Sequence, residues 1–276
     1  MNDEKKSPQK LPLGIIAGKG SLPAQIIAAC EKTGRDFFII AFDESFDHKI
    51  MAHLPHAIVR LGAVGEALTH LRGAGVREVV MAGGIKRPSL SNLRPDADGA
   101  KLIKKLGMAF FGGDDAILRA VTAFFEEENF TVIGVESILG GLLAPEAILT
   151  KTAPDKQAKA DIMIGMAAAK NLGALDIGQA VVVENGVVIA TETAEGTDAL
   201  ITSHKTQRGV LVKAKKPQQE GRVDLPAIGV ATIENLHANG YSGVAVEAHA
   251  SLIIDQAELI KKANAYGLFV IGVKYE

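Results

Sequence analysis

The sequence predicts an α/β protein, with a Rossmann-like N-terminal layer on an open parallel sheet and then a second, mixed α/β (α+β) domain containing a hairpin. Three observations carry this expectation. Short β-branched runs alternate with stretches of helical period along most of the chain, the pattern of right-handed strand-helix-strand crossovers. The first run, Leu13-Gly-Ile-Ile-Ala, ends in the glycine turn Gly18-Lys19-Gly20-Ser21, directly before a helix. Further on, Val181-Val-Val-Glu-Asn-Gly-Val-Val-Ile-Ala sets Asn185-Gly186, the residue pair of a type I′ turn, between two β-branched runs.

Taken in order, the helix after the first strand carries Leu22, Ile26, Ile27 and Cys30 on its apolar side. Phe37 to Phe42 reads as the second strand and Ala57-Ile-Val-Arg-Leu as the third. A helix from about Val64 to Leu71 leads to Glu78-Val-Val-Met-Ala, a strand that ends at Gly83-Gly84. Ile117, Leu118, Val121, Phe124 and Phe125 recur with period 3.6 and mark a longer helix, and Phe130 to Val135 the strand after it. The breakers from Gly140 to Pro154 separate a first domain, 11–145, from a second, 155–276. The second opens with an Ala- and Met-rich helix, Asp155 to Leu172, ahead of the hairpin. A helix after Gly196, a strand at Leu211, a helix from about Ile228 and a strand at Val244 follow. A helix after Asp255, where Asp255 and Glu258 have capping-box spacing, and the strand Leu268 to Val273 close it.

At 276 residues the chain is longer than one ordinary core requires, so two domains are expected. A hydrophobic fraction of 47% fills them amply. Only 5% of the residues are aromatic, Trp is absent and the formal charge is −2, which argues against a protein that stacks bases or tracks a phosphate backbone. Cys30 is the only cysteine, so no internal disulfide forms and a reducing compartment is expected. The polar stretch Met1 to Pro12 has no apolar run, and no segment reaches the length of a spanning helix. The expectation is a soluble, cytoplasmic protein, with peripheral contact to the inner membrane left open.

The chemistry gathers at strand ends. Gly18, Lys19, Gly20 and Ser21 open a helix and can face a phosphate with bare amides, although Pro23 stands where a dinucleotide fingerprint has its third glycine. Asp43 after the second strand would suit a ribose hydroxyl. Gly83 and Gly84 with Lys86 form a second strand-end candidate. The richest stretch is Lys213 to Gly229, in which Lys213, Lys216 and Arg222 can meet phosphate oxygens and Asp224 can hold a metal ion or a water. Glu195 and Asp198 flank a Gly-Thr turn; with Asp224 they make a possible oxygen set for Mg2+, and Thr197 joins the substrate-binding candidates. There is no P-loop, nucleophile elbow or HExxH pattern, and the histidines lack zinc spacing. On these residues alone a nicotinamide- or nucleotide-binding oxidoreductase, resting on Gly18, Gly20 and Asp43, stays open, as does a noncatalytic protein that keeps the phosphate cradle without needing Asp224.

Leu13-Gly-Ile-Ile-Ala-Gly-Lys-Gly-Ser-Leu-Pro, Gly83-Gly-Ile-Lys-Arg-Pro, Ala194-Glu-Gly-Thr-Asp-Ala and Val212-Lys-Ala-Lys-Lys-Pro-Gln-Gln with Arg222-Val-Asp-Leu-Pro-Ala-Ile-Gly together resemble the UDP-2,3-diacylglucosamine pyrophosphatases of the LpxI type, from lipid A biosynthesis. The likeness runs in order over nearly the whole chain. It implies a cytoplasmic two-domain enzyme, a homodimer, that uses Mg2+ and water to cleave the pyrophosphate of a lipid-linked UDP-sugar, and it leans toward attack on the phosphorus nearer the sugar. Asp224 is then the candidate catalytic residue. Two acyl chains also need an apolar cavity, to which the helix around Ile162, Met163 and Met166 is expected to contribute.

Overall fold

The structure, a computed structural model, describes residues 11–42, 53–85, 93–107 and 114–275. The chain divides into two compact units, Met1–Leu139 and Gly140–Glu276.

In the first unit the order is β1 (Leu13–Ala17), α1 (Leu22–Thr33), β2 (Phe37–Phe42), β3 (His56–Val59), α2 (Val64–Gly73), β4 (Glu78–Ala82), α3 (Ala97–Leu106), α4 (Asp114–Glu127) and β5 (Thr131–Ile133). All four strand pairs are parallel and the sheet order is β3-β2-β1-β4-β5, the Rossmann-like layer expected from the sequence. β1 is buried along its whole length because both neighbours and the crossover helices cover it, which is why it reads as an unbroken apolar run. Cys30 packs in this core at 1% exposure with Ile26 and Ile27. The order reverses between β1 and β4, so the crevice at their carboxyl ends is the topological switch point.

The second unit runs α5 (Lys156–Ala174), β6 (Ala180–Glu184), β7 (Val187–Thr191), α6 (Thr197–Ser203), β8 (Val210–Lys213), β9 (Ala227–Ile228), α7 (Val230–Ala238), β10 (Gly243–Glu247), β11 (Leu252–Ile253), α8 (Gln256–Tyr266) and β12 (Phe269–Val273). Its sheet, β12-β10-β8-β6-β7, is mixed: β8, β10 and β12 are parallel, and β6 is antiparallel to both β8 and β7. The hairpin turn has φ of 54° at Asn185 and 82° at Gly186, the two positive values that a type I′ turn demands. Buried Asp161 of α5 accepts from both turn amides, from Asn185 N at 3.1 Å and from Gly186 N at 2.6 Å. One face of the sheet packs with Leu200, Ile233 and Leu259, which belong to α6, α7 and α8; the other packs with α5. Gly165 brings α5 close to β8, because a Cβ there would lie 2.4 Å from Val212 Cγ2.

Several expectations need correction. Ile162 and Met166 are 2% and 0% exposed and belong to the core between α5 and the sheet, so they line no open cavity, whereas Met163 is exposed. The helix before β10 begins at Val230, because Ala227 and Ile228 pair with Leu252 and Ile253 as a small two-stranded sheet. Asp255 adopts a left-handed conformation, φ 53°, and makes no capping bond, so the capping box does not form. Helix α3, unpredicted, is capped by Asp96, whose side chain accepts from Gly99 N at 2.7 Å.

Candidate active site

In the first unit the two glycine signals meet. Gly18 N donates to Ala82 O, and Lys19 and Gly84 exchange two main-chain hydrogen bonds of 2.8 and 2.9 Å across the ends of β1 and β4. A Cβ on Gly18 would lie 2.6 Å from the carbonyl oxygen of Gly83, which itself has φ 87°, so the backbone approach alone requires glycine at both. Gly20, with φ 107° and nothing within 4 Å of its Cβ position, and Ser21, which precedes α1 without capping it, are exposed. Lys86 and Asp43 lie outside the described residues.

In the second unit the sheet register builds the site. Lys213 ends β8 opposite Ala180, and Glu192, one residue past β7, donates its amide to Ala180 O at 2.9 Å. Glu192, Ala180 and Lys213 therefore form one row across three strands, and the small methyl of Ala180 leaves room between two long side chains on the same face. Both are buried, at 6% and 8% exposure. Thr197, the first residue of α6, bridges them: its hydroxyl donates to Glu192 Oε1 and accepts from Lys213 Nζ at 2.9 Å. Lys213 Nζ also donates to Ala227 O at 3.2 Å. Burial holds the Lys213 ammonium below its ordinary pKa, opposed by the carboxylates of Glu192, Asp224 and Asp198.

Asp224, half-buried, sits after the turn that follows β8, its amide bonded to Glu220 O at 3.0 Å. Gln219 Nε2 donates to Asp224 Oδ2 at 2.5 Å. The loop is anchored to α5: Lys170 Nζ contacts Lys215 O at 3.0 Å and both oxygens of Glu247 at 2.7 Å, and Glu247 Oε2 accepts from Lys215 N at 2.8 Å.

Not every candidate is placed alike. Lys216 pairs with Asp176 at 2.6 Å and is 12% exposed, while the Arg222 fork closes on Glu220 through two bonds of 2.9 Å. That pairing, first through the Arg222 hydrogen bond, lowers the Glu220 pKa. Asp198 is exposed and accepts from Asn235 at 3.3 Å, and Glu195 is exposed on the turn before α6. Among the described residues no group of three or more His, Cys, Asp or Glu side chains is arranged to hold a metal ion, so Glu195, Asp198 and Asp224 do not form a cage. Asp224 and Asp198 both act electrostatically on Lys213. Mg2+ keeps several waters and takes substrate phosphates, so one or two carboxylates such as these are the kind of donor it needs. Glu192, Gln179 and Gln219 were missed from sequence.

Two family models match in chain order: the LpxI N-terminal domain over residues 12–142 and the LpxI C-terminal domain over 145–271. The chain belongs to the LpxI family. UDP-2,3-diacylglucosamine pyrophosphatase LpxI of Caulobacter vibrioides is 40% identical over 272 residues, 95% of this chain and 97% of that protein. Among solved structures, precorrin-6A reductase CobK aligns with a TM-score of 0.32 at 12% identity, covering 96% of this chain and 88% of its own. N5-carboxyaminoimidazole synthase from Aspergillus clavatus aligns at 0.24 and 14%, covering 66% and 41%. Both scores are too low to assign a shared fold. The LpxI match, by contrast, spans the described site residues of both units. No helix among the described residues is long and apolar enough to cross a membrane.

Proposed function

We propose that this LpxI family member hydrolyses the pyrophosphate of UDP-2,3-diacylglucosamine to UMP and 2,3-diacylglucosamine 1-phosphate, in lipid A biosynthesis and with Mg2+. The observation that carries the reading is the buried Lys213 ammonium at the carboxyl end of a parallel strand, with the Asp224 carboxylate on the loop that follows. Displacement at phosphorus builds charge on non-bridging oxygens, and a desolvated, pre-positioned cation stabilises it more than one in water can. Two of the three Lys213 donors are spent on Thr197 and Ala227, which fixes the ammonium before substrate arrives. Asp224 orients the attacking water; water adds to phosphorus, the bridging P–O bond breaks, and the proton passes to solvent. Mg2+, bound with the substrate, would neutralise phosphate charge beside Asp224 and Asp198.

Incubation with UDP-2,3-diacylglucosamine, with and without chelator, followed by phosphorus NMR, tests this. UMP release only with the metal supports it. No reaction together with NAD binding favours an oxidoreductase, and binding without turnover a UDP-sugar binding protein. Hydrolysis in 18O-labelled water is expected to place the label in the sugar phosphate, as attack on the phosphorus nearer the sugar requires; label in UMP reverses that assignment. The proposed assembly is a homodimer with peripheral contact to the inner membrane. Sedimentation at the 29.0 kDa monomer mass would rule out the dimer, and failure to co-float with anionic vesicles the contact.

A further inference from the structure

Gln219 is 5% exposed, and each end of its amide is held. Its Oε1 accepts the main-chain N–H of Lys216 at 3.1 Å. Its Nε2 donates to Asp224 Oδ2 at 2.5 Å and to Gln179 Oε1 at 3.3 Å. A main-chain N–H only donates and an ionised carboxylate only accepts, so one orientation of the amide satisfies both ends and the flipped one satisfies neither. Gln179 is itself fixed at the start of β6, its N–H on Glu192 Oε2 at 2.7 Å and its carbonyl accepting from Ala214 N at 3.0 Å. The hold on Asp224 thus leads back through hydrogen bonds to the same sheet row that positions Lys213.

We propose that Gln219 is a positioning residue for the hydrolysis: it holds the Asp224 carboxylate in its working orientation, with Gln179 as its support. The inference rests on the reading of Asp224 given above. A carboxylate oriented before substrate binds removes a reorganisation step from the barrier, so losing the hold slows the chemical step more than it weakens binding.

Gln219→Met keeps length and burial but removes both donor and acceptor. It is expected to lower kcat roughly 10-fold or more while KM changes little. In an Asp224→Asn background the same change should cost nothing further, because residues that act through one another are not additive. Gln179→Met removes the second acceptor of Gln219 Nε2, should give a smaller fall that also vanishes in that background, and carries the test if Gln219→Met fails to fold. Rates are taken per folded molecule, from urea unfolding of the same preparations. A normal kcat in folded Gln219→Met, or a loss that multiplies fully with Asp224→Asn, overturns the proposal and leaves Asp224 standing. Wild-type turnover in Asp224→Asn overturns the reading of Asp224, and the proposal with it.

Discussion

Lys213 Nζ lies 2.9 Å from the hydroxyl oxygen of Thr197, and that hydroxyl spends its proton on the buried carboxylate of Glu192. The hydroxyl is thereby an acceptor toward Lys213 by construction. Thr197→Val keeps the shape but takes one bond from each partner, leaving Lys213 with Ala227 O and Glu192 with Gln179 N. Leaving a buried carboxylate oxygen and an ammonium without this bond is expected to cost on the order of 1–3 kcal/mol of stability. Turnover per folded molecule should fall as well. Unchanged urea unfolding would show that the remaining bonds, Gln179 N to Glu192 and Lys213 to Ala227 O, suffice.

Asp224→Ala should lower the hydrolysis rate by roughly 10²-fold or more, with substrate still bound. Its loss takes one of two acceptors from buried Gln219 Nε2 and leaves Gln179 Oε1, so the melting temperature should fall only modestly. Rate and melting curve on one preparation decide: a destabilised protein with a near-normal rate per folded molecule would make Asp224 a structural residue.

The pH dependence of Lys213 has a definite sign. Burial lowers its pKa in the folded chain below the ordinary 10.5, against the pull of Glu192, Asp224 and Asp198. A depressed folded-state pKa contributes stability that is present above the unfolded value and lost as pH falls through the folded one. The native chain should therefore gain stability relative to Lys213→Met as pH rises toward 10.5. Urea unfolding of the two proteins across the alkaline range measures the gap; a gap independent of pH would mean that the carboxylates offset the desolvation and the pKa is not lowered.

Lys170 holds the site loop from behind, through Lys215 O and Glu247. Lys170→Met leaves Glu247, with 12% side-chain exposure, as an unpaired charge, a loss of about 3 kcal/mol. Adding Glu247→Gln should return part of it, since the stranded charge is then gone. A second change no better than the first would argue that packing of the lysine stem carries the effect.

The architecture was legible where local chemistry and tertiary position agree. β1, β4 and β8 are covered on both faces and read as apolar runs, and Asn185-Gly186 announces its turn by residue type alone. Helix α3 escaped because Pro95 and Gly99 look like loop residues, although Asp96 was a cap waiting for its helix. The strands β9 and β11 are two residues each, too short for any period, and exist only because Leu252 meets Ala227 across the fold. Lys213 and Asp224 stood out as charges in a punctuated stretch. Glu192 did not, since Thr191-Glu192-Thr193 looks like the exposed end of a hairpin and its burial is made by Thr197 and Lys213 from other elements. Gln219 lay in plain view, but an amide declares no role until its two ends have partners.

The clasp of Asp161 on the hairpin turn bears on how this protein ages. Asn-Gly pairs deamidate when the glycine nitrogen swings onto the asparagine side chain and closes a succinimide ring. Here the Gly186 nitrogen points its hydrogen at Asp161 Oδ1, 2.6 Å away, and Asn185 N is tied to the other oxygen of the same carboxylate. The nitrogen that would attack is held facing the helix, so ring closure at this turn should be slower than in a free Asn-Gly pair for as long as α5 stays docked.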